Sequence, residues 1–207
     1  MRPYAGPVPF RVGFVPGVTP DKWSRRWAEG RRGPLDLVPL DEDADPVAML
    51  RAAALDMCLV RLPVDRDGLH VVTLYDERPV VVASREHPVA AYDEVDVADL
   101  ADEHLLQPPD DVPEWRDVAT EVRDGSRYPV PDMTVRQAVE SVAADAGVLV
   151  LPMSVARLHH RKDVVAVPVR DVPESTVALV WLRERDDETC QAFVGVVRGR
   201  TASSSRG

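Results

Sequence analysis

The sequence contains few residues of several types, and each shortage excludes some classes of protein. Only 2 cysteines occur in 207 residues, and neither Cys58 nor Cys190 has the spacing of a metal or redox motif. Lys and Arg number 25 against 35 Asp and Glu, so the formal net charge of -10 repels nucleic-acid phosphates and anionic membranes. We therefore expect neither a direct nucleic-acid partner nor a membrane partner. Both cysteines are expected to be buried as small hydrophobic residues.

Long apolar runs and aromatic residues are also scarce. No run approaches the roughly 18 apolar residues that a bilayer-spanning helix needs. Residues 1–10, MRPYAGPVPF, lack the apolar segment of a secretory signal, so we expect a cytoplasmic protein. Hydrophobic residues still make up 45% of the sequence and aromatic residues only 5%, which predicts a core of Val, Leu and Ala. The length suffices for one large domain or two small lobes.

One stretch, residues 133–152 (MTVRQAVESVAADAGVLVLP), predicts a capped helix that runs into a buried strand. Thr134 and Gln137 have the spacing of a capping box, although Asp132 could cap instead. Valines and alanines then recur every three or four residues, which places them on one face of a helix. The sequence thus predicts a helix that begins near Thr134 and packs on a core.

After this helix the sequence predicts a strand that is covered on both faces. Gly147 is expected to adopt the left-handed conformation that ends a helix. Residues 148–151 form an unbroken apolar run closed by Pro152, which is typical of parallel sheets under helices. Ligands of such sheets bind at the carboxyl ends of strands, where the N–H groups of helix starts are unpaired. Residues 132–134 are therefore expected to face a cleft.

The rest of the chain alternates between short strand and helix patterns. Thr19 is expected to cap a helix that has Pro20 at its first position. Residues 41–45 are strongly acidic and lead into a second helix. They are interpreted as a solvated helix start, because a calcium loop would need a central glycine and a final glutamate. Strands are predicted at residues 11–15, 35–40, 57–62 and 164–169, and this alternation predicts an α/β fold with mainly parallel sheets.

The sequence shows no motif of a catalytic or cofactor site. It has no GxSxG turn, no P-loop, no HExxH and no GxGxxG after a strand. Ser154 has no evident base nearby and is interpreted as a helix cap. His159 and His160 are adjacent, so on a helix they point in different directions and do not chelate together. We therefore predict no catalytic residue, no metal and no cofactor.

Four segments together resemble the effector-binding domain of LysR-type transcriptional regulators. Residues 10–17 (FRVGFVPG) resemble the family's first strand and ligand loop, and residues 55–63 (LDMCLVRLP) resemble its third strand. Residues 69–88 (LHVVTLYDERPVVVASREHP) resemble its crossover strand. The patterns AxxAGVxVLP and MSVARL resemble its central helix, the strand after it and the next helix. The resemblance covers residues 10–200, and the family's N-terminal winged helix-turn-helix is missing because the first strand begins at about Arg11.

The resemblance implies a type II periplasmic-binding-protein fold, in which two Rossmann-like lobes are joined by two crossover strands. Residues 10–82 and 171–200 would form a discontinuous first lobe, and residues 83–170 a second one. Residues 1–9 would be a flexible lead and residues 201–207 a flexible tail. The resemblance also implies a homodimer, in which a helix of one lobe packs against a strand of the partner's other lobe.

The resemblance further implies a regulatory sensor that binds a small-molecule effector between its lobes and has no chemistry of its own. The chain would be part of a longer regulator, or would act alone on a ligand or on another regulator. An enzyme on the same fold is the alternative, such as a dehydratase or deaminase that acts on a small carboxylated metabolite.

The resemblance places the ligand-binding residues at strand ends and helix starts. Helix-start N–H groups and hydroxyls would hold an anionic oxygen, and Arg61 would be available for a bidentate contact to a carboxylate. Thr19 and Thr134 could instead be caps only, and Arg61 could pair with an acidic neighbour. The predicted ligand-binding residues are Val18, Thr19, Arg61, Gln107, Met133 and Thr134.

Overall fold

A computed structural model of the chain describes residues 8–30 and 32–199. The tail expected at residues 201–207 lies outside the described residues, as does most of the lead expected at residues 1–9. Among the described residues, no helix combines the length and the apolar character that a bilayer crossing requires. The strands and helices are, in chain order, β1 (Phe10–Phe14), α1 (Asp21–Glu29), β2 (Leu35–Pro39), α2 (Pro46–Arg51), β3 (Met57–Arg61), β4 (Leu69–Glu77), β5 (Pro79–Ser84), β6 (Val95–Asp96), α3 (Pro113–Val118), α4 (Thr120–Arg123), α5 (Val135–Ala143), β7 (Leu149–Pro152), α6 (Met153–Leu158), β8 (Val164–Arg170), β9 (Ser175–Leu182) and α7 (Glu188–Val197).

The chain divides into two compact units. Unit 1 comprises Met1–Tyr75 and Thr176–Gly207, and unit 2 comprises Asp76–Ser175. The sequence placed the changes of lobe after residues 82 and 170. In the structure, the division falls before β5, because the whole of β5 pairs with β7 and β8 inside the sheet of unit 2.

Unit 1 is built on a five-stranded sheet in the order β2-β1-β3-β9-β4. Successive residues of a strand point to opposite faces, and successive residues of β9 enter different apolar clusters. Val177 and Leu179 pack with Trp27 and Phe193 in one cluster, and Val180 belongs to the other. The sheet is therefore covered on both faces, as a core rich in Val and Leu predicts.

Unit 2 is built on a four-stranded sheet in the order β6-β8-β5-β7. Here β5 alternates in the same way, with Val80 and Val82 in one cluster and Val81 and Ala83 in the other. All six residues of β5 are buried. Fully burying a valine is worth about 1.5–3 kcal/mol relative to leaving it exposed, so this strand is a major source of the stability of unit 2.

The predicted α/β class with two sheets is confirmed, and the strand directions refine it. β1 runs parallel to β2 and β3, and β6 runs parallel to β8. β9 is antiparallel to β3, and β5 is antiparallel to β7 and β8. β7 and β8 both run antiparallel to β5 and so run in the same direction, which agrees with the helix α6 that connects them.

α5 begins where the sequence predicts, but its end is built differently. Thr134 accepts a hydrogen bond from the N–H of Gln137 at 3.3 Å, and its own N–H donates to Gln137 Oε1 at 2.9 Å, which completes the capping box. The left-handed residue after the helix is Asp145, with φ of 61°, and the expectation for Gly147 is wrong.

Gly147 has φ of 154°, and a Cβ there would lie 2.3 Å from the backbone oxygen of His104. Glycine is therefore needed for the close approach of two backbone segments.

We predict that Gly147→Ala destabilises the protein by about 1–3 kcal/mol, the usual cost of forcing extra atoms into a packed site. Urea unfolding followed by circular dichroism measures this change. Gly33→Ala is the matched control, because a Cβ at Gly33 meets no atom within 4 Å. The control should change the free energy of unfolding by less than about 0.5 kcal/mol. Equal effects of the two substitutions would contradict the close approach at Gly147.

Candidate functional site

In unit 1, three of the predicted residues lie around the loop after β1. Arg61, at the end of β3, donates from Nη1 to the backbone oxygen of Pro16 at 2.7 Å. Val18 is 4% exposed and packs in the core of the unit, so its side chain is a packing group in this structure. Thr19 is exposed. The structure therefore joins the end of β3 to this loop and presents the hydroxyl of Thr19 at the surface.

Thr19 does not cap α1, contrary to the expectation from the sequence. Pro20 takes the N-cap position with φ of -81° and ψ of -1°, and no side chain hydrogen-bonds to the cap. The first turn is instead stabilised by the acidic Asp21, whose charge complements the positive end of the helix. Within the described part of the chain, the Thr19 hydroxyl has no hydrogen-bond partner and remains available to a ligand.

In unit 2, a cavity of about 520 Å³ brings two of the predicted residues together. Its size falls in the range of small-molecule sites. The segment before α5, the start of α5 and β7 each contribute to its wall. The apolar part of the wall includes Leu106, Met133, Ala138, Leu149 and Leu151, and the polar part consists of Gln107, Asp111, Arg127 and Asp132.

Of the three predicted residues of unit 2, two line this cavity and one does not. Gln107 lines it and uses Oε1 to accept a hydrogen bond from the N–H of Val150 at 2.9 Å, which fixes the side chain against β7. Met133 also lines the cavity, and its Sδ accepts from Ser141 Oγ at 3.8 Å. Thr134 is not part of the wall, because its hydroxyl and N–H serve the cap of α5.

A buried charged cluster that the sequence did not reveal holds the cavity wall. Arg127 forms an ion pair with Glu121, and Glu121 also contacts His104, with 2.6 Å between Oε2 and Nδ1. Arg127 Nη2 donates to the backbone oxygens of Leu105 at 2.7 Å and Gln107 at 3.0 Å. The side chains of His104, Glu121 and Arg127 are only 11–16% exposed. Arg127 therefore fastens the loop before α5 to the segment that carries Gln107.

The cluster depends on a break between two helices. The sequence pattern of residues 112–122 is compatible with one amphipathic helix, but the backbone is extended at Ala119, with ψ of 125°. α3 ends before this residue and α4 begins after it, and α4 carries Glu121. Hydrophobic periodicity does not report such a break, because apolar residues that pack on the same core occur on both sides of it, Trp115 before and Val122 after. Arg127 lies in a turn-rich stretch that has no periodic signal at all.

Two carboxylates on the cavity wall lack a counter-ion. Neither Asp111 nor Asp132 has a side-chain hydrogen bond or an ion pair with any residue that the structure describes. Partial burial raises the pKa of Asp111 above its usual value, and the neighbouring charge of Asp110 raises it further. The sequence marks Asp132 only as an alternative cap of α5, and no sequence pattern marks Asp111.

The two helix-covered sheets, with a small-molecule cavity in unit 2, define an α/β ligand-binding domain of the type II periplasmic-binding-protein class. The family model for the LysR substrate binding domain matches residues 34–202. Because this match covers most of the sequence, the chain belongs to the LysR substrate-binding domain family, which confirms the resemblance found in the sequence.

One curated relative is a probable hydrogen peroxide-inducible genes activator from Mycobacterium avium, which is 32% identical over 152 residues. The match covers 70% of this chain and 49% of the relative, so the chain spans about half the relative's length. The relatives found are transcriptional regulators of the LysR family. They do not support the alternative of an enzyme on this fold.

Solved structures of low sequence identity share the fold. The BenM effector binding domain with its effector benzoate has a TM-score of 0.69 at 21% identity, covering 96% of this chain and 94% of its own. A full-length OxyR cysteine mutant from Pseudomonas aeruginosa has a TM-score of 0.70 at 22% identity, covering 95% of this chain and 68% of its own. A cysteine mutant of Corynebacterium glutamicum OxyR has a TM-score of 0.67 at 23% identity, covering 92% and 63%.

We predict that Glu121→Ala lowers the free energy of unfolding by about 3 kcal/mol, because it leaves Arg127 and His104 buried without their carboxylate. Urea unfolding measures this loss. Asp163→Ala is the control, since Asp163 pairs with Arg161 on the surface and both side chains are more than 40% exposed. The control should leave the unfolding midpoint unchanged. If Glu121→Ala were equally silent, the cluster would not hold the wall.

Proposed function

We propose that the chain is the sensing part of a LysR-type regulator, with a small-molecule effector bound in unit 2 and no chemistry of its own. Domains of this family bind small-molecule effectors, and the relatives of this chain regulate transcription. The observation that carries the proposal for this chain is the cavity of about 520 Å³. Gln107 and Met133, two of the ligand-binding residues predicted from the sequence, both lie on its wall.

The lining supports binding of a ligand that is largely apolar with a few polar groups. Leu149, Leu151 and Met133 offer an apolar surface. Gln107 uses its Oε1 to hold β7, which leaves its Nε2 donor for a ligand, since no described residue accepts from it. Pockets for small molecules have this composition, because apolar area provides affinity and a few polar groups fix the orientation.

The residues of unit 1 are proposed as further effector contacts. Thr19 has an uncommitted hydroxyl, and Arg61, which donates to the backbone oxygen of Pro16 beside this loop, is proposed as the contact to a carboxylate. Val18 would take part through its backbone, because its side chain is buried. A carboxylated effector remains one proposal for the chemistry that unit 1 recognises.

We further propose a cytoplasmic homodimer in which unit 1 of one copy packs against unit 2 of the other. The charges support this arrangement. Residues 76–175 hold 21 Asp and Glu against 10 Lys and Arg, so the rest of the chain holds the remaining 14 acids and 15 bases. Two copies of the acidic unit 2 repel each other, so its pairing with the nearly neutral unit 1 is favoured over like-with-like pairing. The negative field also disfavours DNA binding by this domain, which would then act through a longer regulator or on another one.

The name of the Mycobacterium avium relative suggests peroxide as a second kind of signal. A thiol reacts with peroxide as an accessible thiolate. Cys58 and Cys190 are both buried, and burial raises the pKa of each thiol to about 12. They also belong to different apolar clusters of unit 1. Direct peroxide sensing by these thiols is therefore the weaker proposal.

We predict that native mass spectrometry of gently purified protein shows a species of twice the chain mass, with a small-molecule adduct on each chain. Val130→Trp should remove the adduct and keep the dimer, because Val130 lines the cavity and an indole there would fill it. Val118→Trp is the matched control, since Val118 is half-buried in the same unit and does not line the cavity.

Two outcomes would contradict effector binding in the cavity, and a third would contradict the homodimer. Wild-type protein that takes up no metabolite from a concentrated cell extract would remove the sensing role. An adduct that survives in Val130→Trp would place the ligand outside the cavity. A species of single chain mass at micromolar concentration would remove the homodimer alone and leave the sensing role intact.

We predict that native Cys58 and Cys190 react slowly with iodoacetamide. With a pKa of about 12, roughly one thiol in a thousand is ionised at pH 9, and the fraction is lower still at pH 7. Mass spectrometry should therefore show little labelling of native protein at either pH, and complete labelling in guanidinium chloride at pH 9. Fast labelling of native protein at pH 7 would restore the thiol-sensor proposal.

A further inference from the structure

The cavity of unit 2 presents unpaired negative charge to whatever enters it. Asp111 and Asp132 both lie on its wall, and neither carboxylate has a hydrogen bond or an ion pair among the described residues. Both residues are exposed, and partial burial is the first cause of the raised pKa of Asp111, so this carboxylate loses part of its hydration without gaining a cation among the described residues. A carboxylate in this situation is stabilised by a positive or hydrogen-bond-donating group.

The one cation on the wall does not offset these charges. The guanidinium of Arg127 pairs with Glu121 and donates to the backbone oxygens of Leu105 and Gln107. It also lies over the ring of Trp115, with 5.3 Å between Cζ and the ring centroid. An anionic ligand would have to compete with Glu121 for Arg127, and removing one partner of a buried pair is costly.

A small recess next to the cavity adds a polar group without a partner. The recess has a volume of about 140 Å³ and shares Asp111 and Leu151 with the cavity wall. Ser175 lines it, and the Oγ of Ser175 is buried without a hydrogen-bond partner. A buried hydroxyl usually has a partner, so the Oγ of Ser175 adds an unsatisfied polar group beside the cavity.

We propose that unit 2 selects effectors that carry a cationic or hydrogen-bond-donating nitrogen on an apolar body, with Asp111 and Asp132 as the selecting residues. This inference rests on the proposed sensing function and names the ligand chemistry of the same cavity. The nitrogen lies against the two carboxylates, and the apolar body packs on Met133, Leu149 and Leu151. A carboxylate contact by Arg61 in unit 1 is a separate proposal.

Three probes of equal size and shape test the sign of the preference. Benzamidine, benzamide and benzoate share a ring and a planar substituent, and they carry charges of +1, 0 and -1. Fragments of this size bind proteins at about millimolar Kd, which NMR titration can measure. Met133 is one of only 5 methionines, so its methyl signal, assigned with Met133→Leu, reports binding at the cavity wall.

Benzamidine should bind about threefold or more tighter than benzamide, and benzoate should be the weakest of the three, since each exposed ion pair is worth up to about 1 kcal/mol. Sodium chloride at about 1 M should remove most of the difference between the probes by screening. The double variant Asp111→Asn, Asp132→Asn should bring benzamidine to the affinity of benzamide. Asp93→Asn is the control, because Asp93 is an exposed acid of the same unit outside the cavity wall and should change nothing.

The outcomes separate this inference from the proposed function. Benzoate binding as tightly as benzamidine, with the Met133 signal shifting, would overturn the charge preference and leave a working effector cavity. Equal benzamidine affinity in the wild type and the double variant would also overturn it, because the two carboxylates would then select nothing. No shift with any probe would overturn it as well, whereas the proposed function is judged independently by the metabolite adduct. Thermal unfolding midpoints of all variants establish that each one is folded.

Discussion

The candidate site of unit 2 depends on one guanidinium. Arg127 connects the loop before α5, the first turn of α4 and the segment that contains Leu105 and Gln107. A planar guanidinium can satisfy an ion pair and two carbonyl oxygens at once, which a lysine cannot do in the same geometry. Because the guanidinium already binds Glu121 and two backbone oxygens, it contributes little positive charge to the cavity that it lines.

A close approach of two backbones completes the same framework. Leu106 N–H donates to the oxygen of Val148, and Val148 N–H donates to the oxygen of His104, each at 2.8 Å. Only glycine fits at position 147, because a Cβ would collide with the oxygen of His104. The apolar run that begins at residue 148 is thereby joined to the segment of Gln107. The side chain of Gln107 also accepts a hydrogen bond from the N–H of Val150 in β7. The hydrogen bonds that join these two segments therefore also place Gln107 at the cavity wall.

The distribution of charge gives the two units different chemical characters. The whole of the chain's excess of acidic residues lies in residues 76–175, where two unpaired carboxylates also line the cavity. A distant surface charge is screened over about 8 Å at physiological salt, so the carboxylates on the wall matter more for a ligand than the total charge. The overall charge governs encounter with partners, whereas the local groups govern what is bound.

The sequence by itself determined the local elements and the family. The capping box of Thr134 and Gln137 and the apolar run before Pro152 depend on neighbours within a few residues, so spacing alone reveals them. The family resemblance in turn selected Gln107 and Met133. Only the tertiary structure decided that Asp145 rather than Gly147 turns left-handed, that Thr19 is no cap, and that Asp111, Arg127 and Asp132 share a cavity. These outcomes depend on groups that are far apart in the chain, such as Glu121 and His104, and no local pattern records which distant groups will meet.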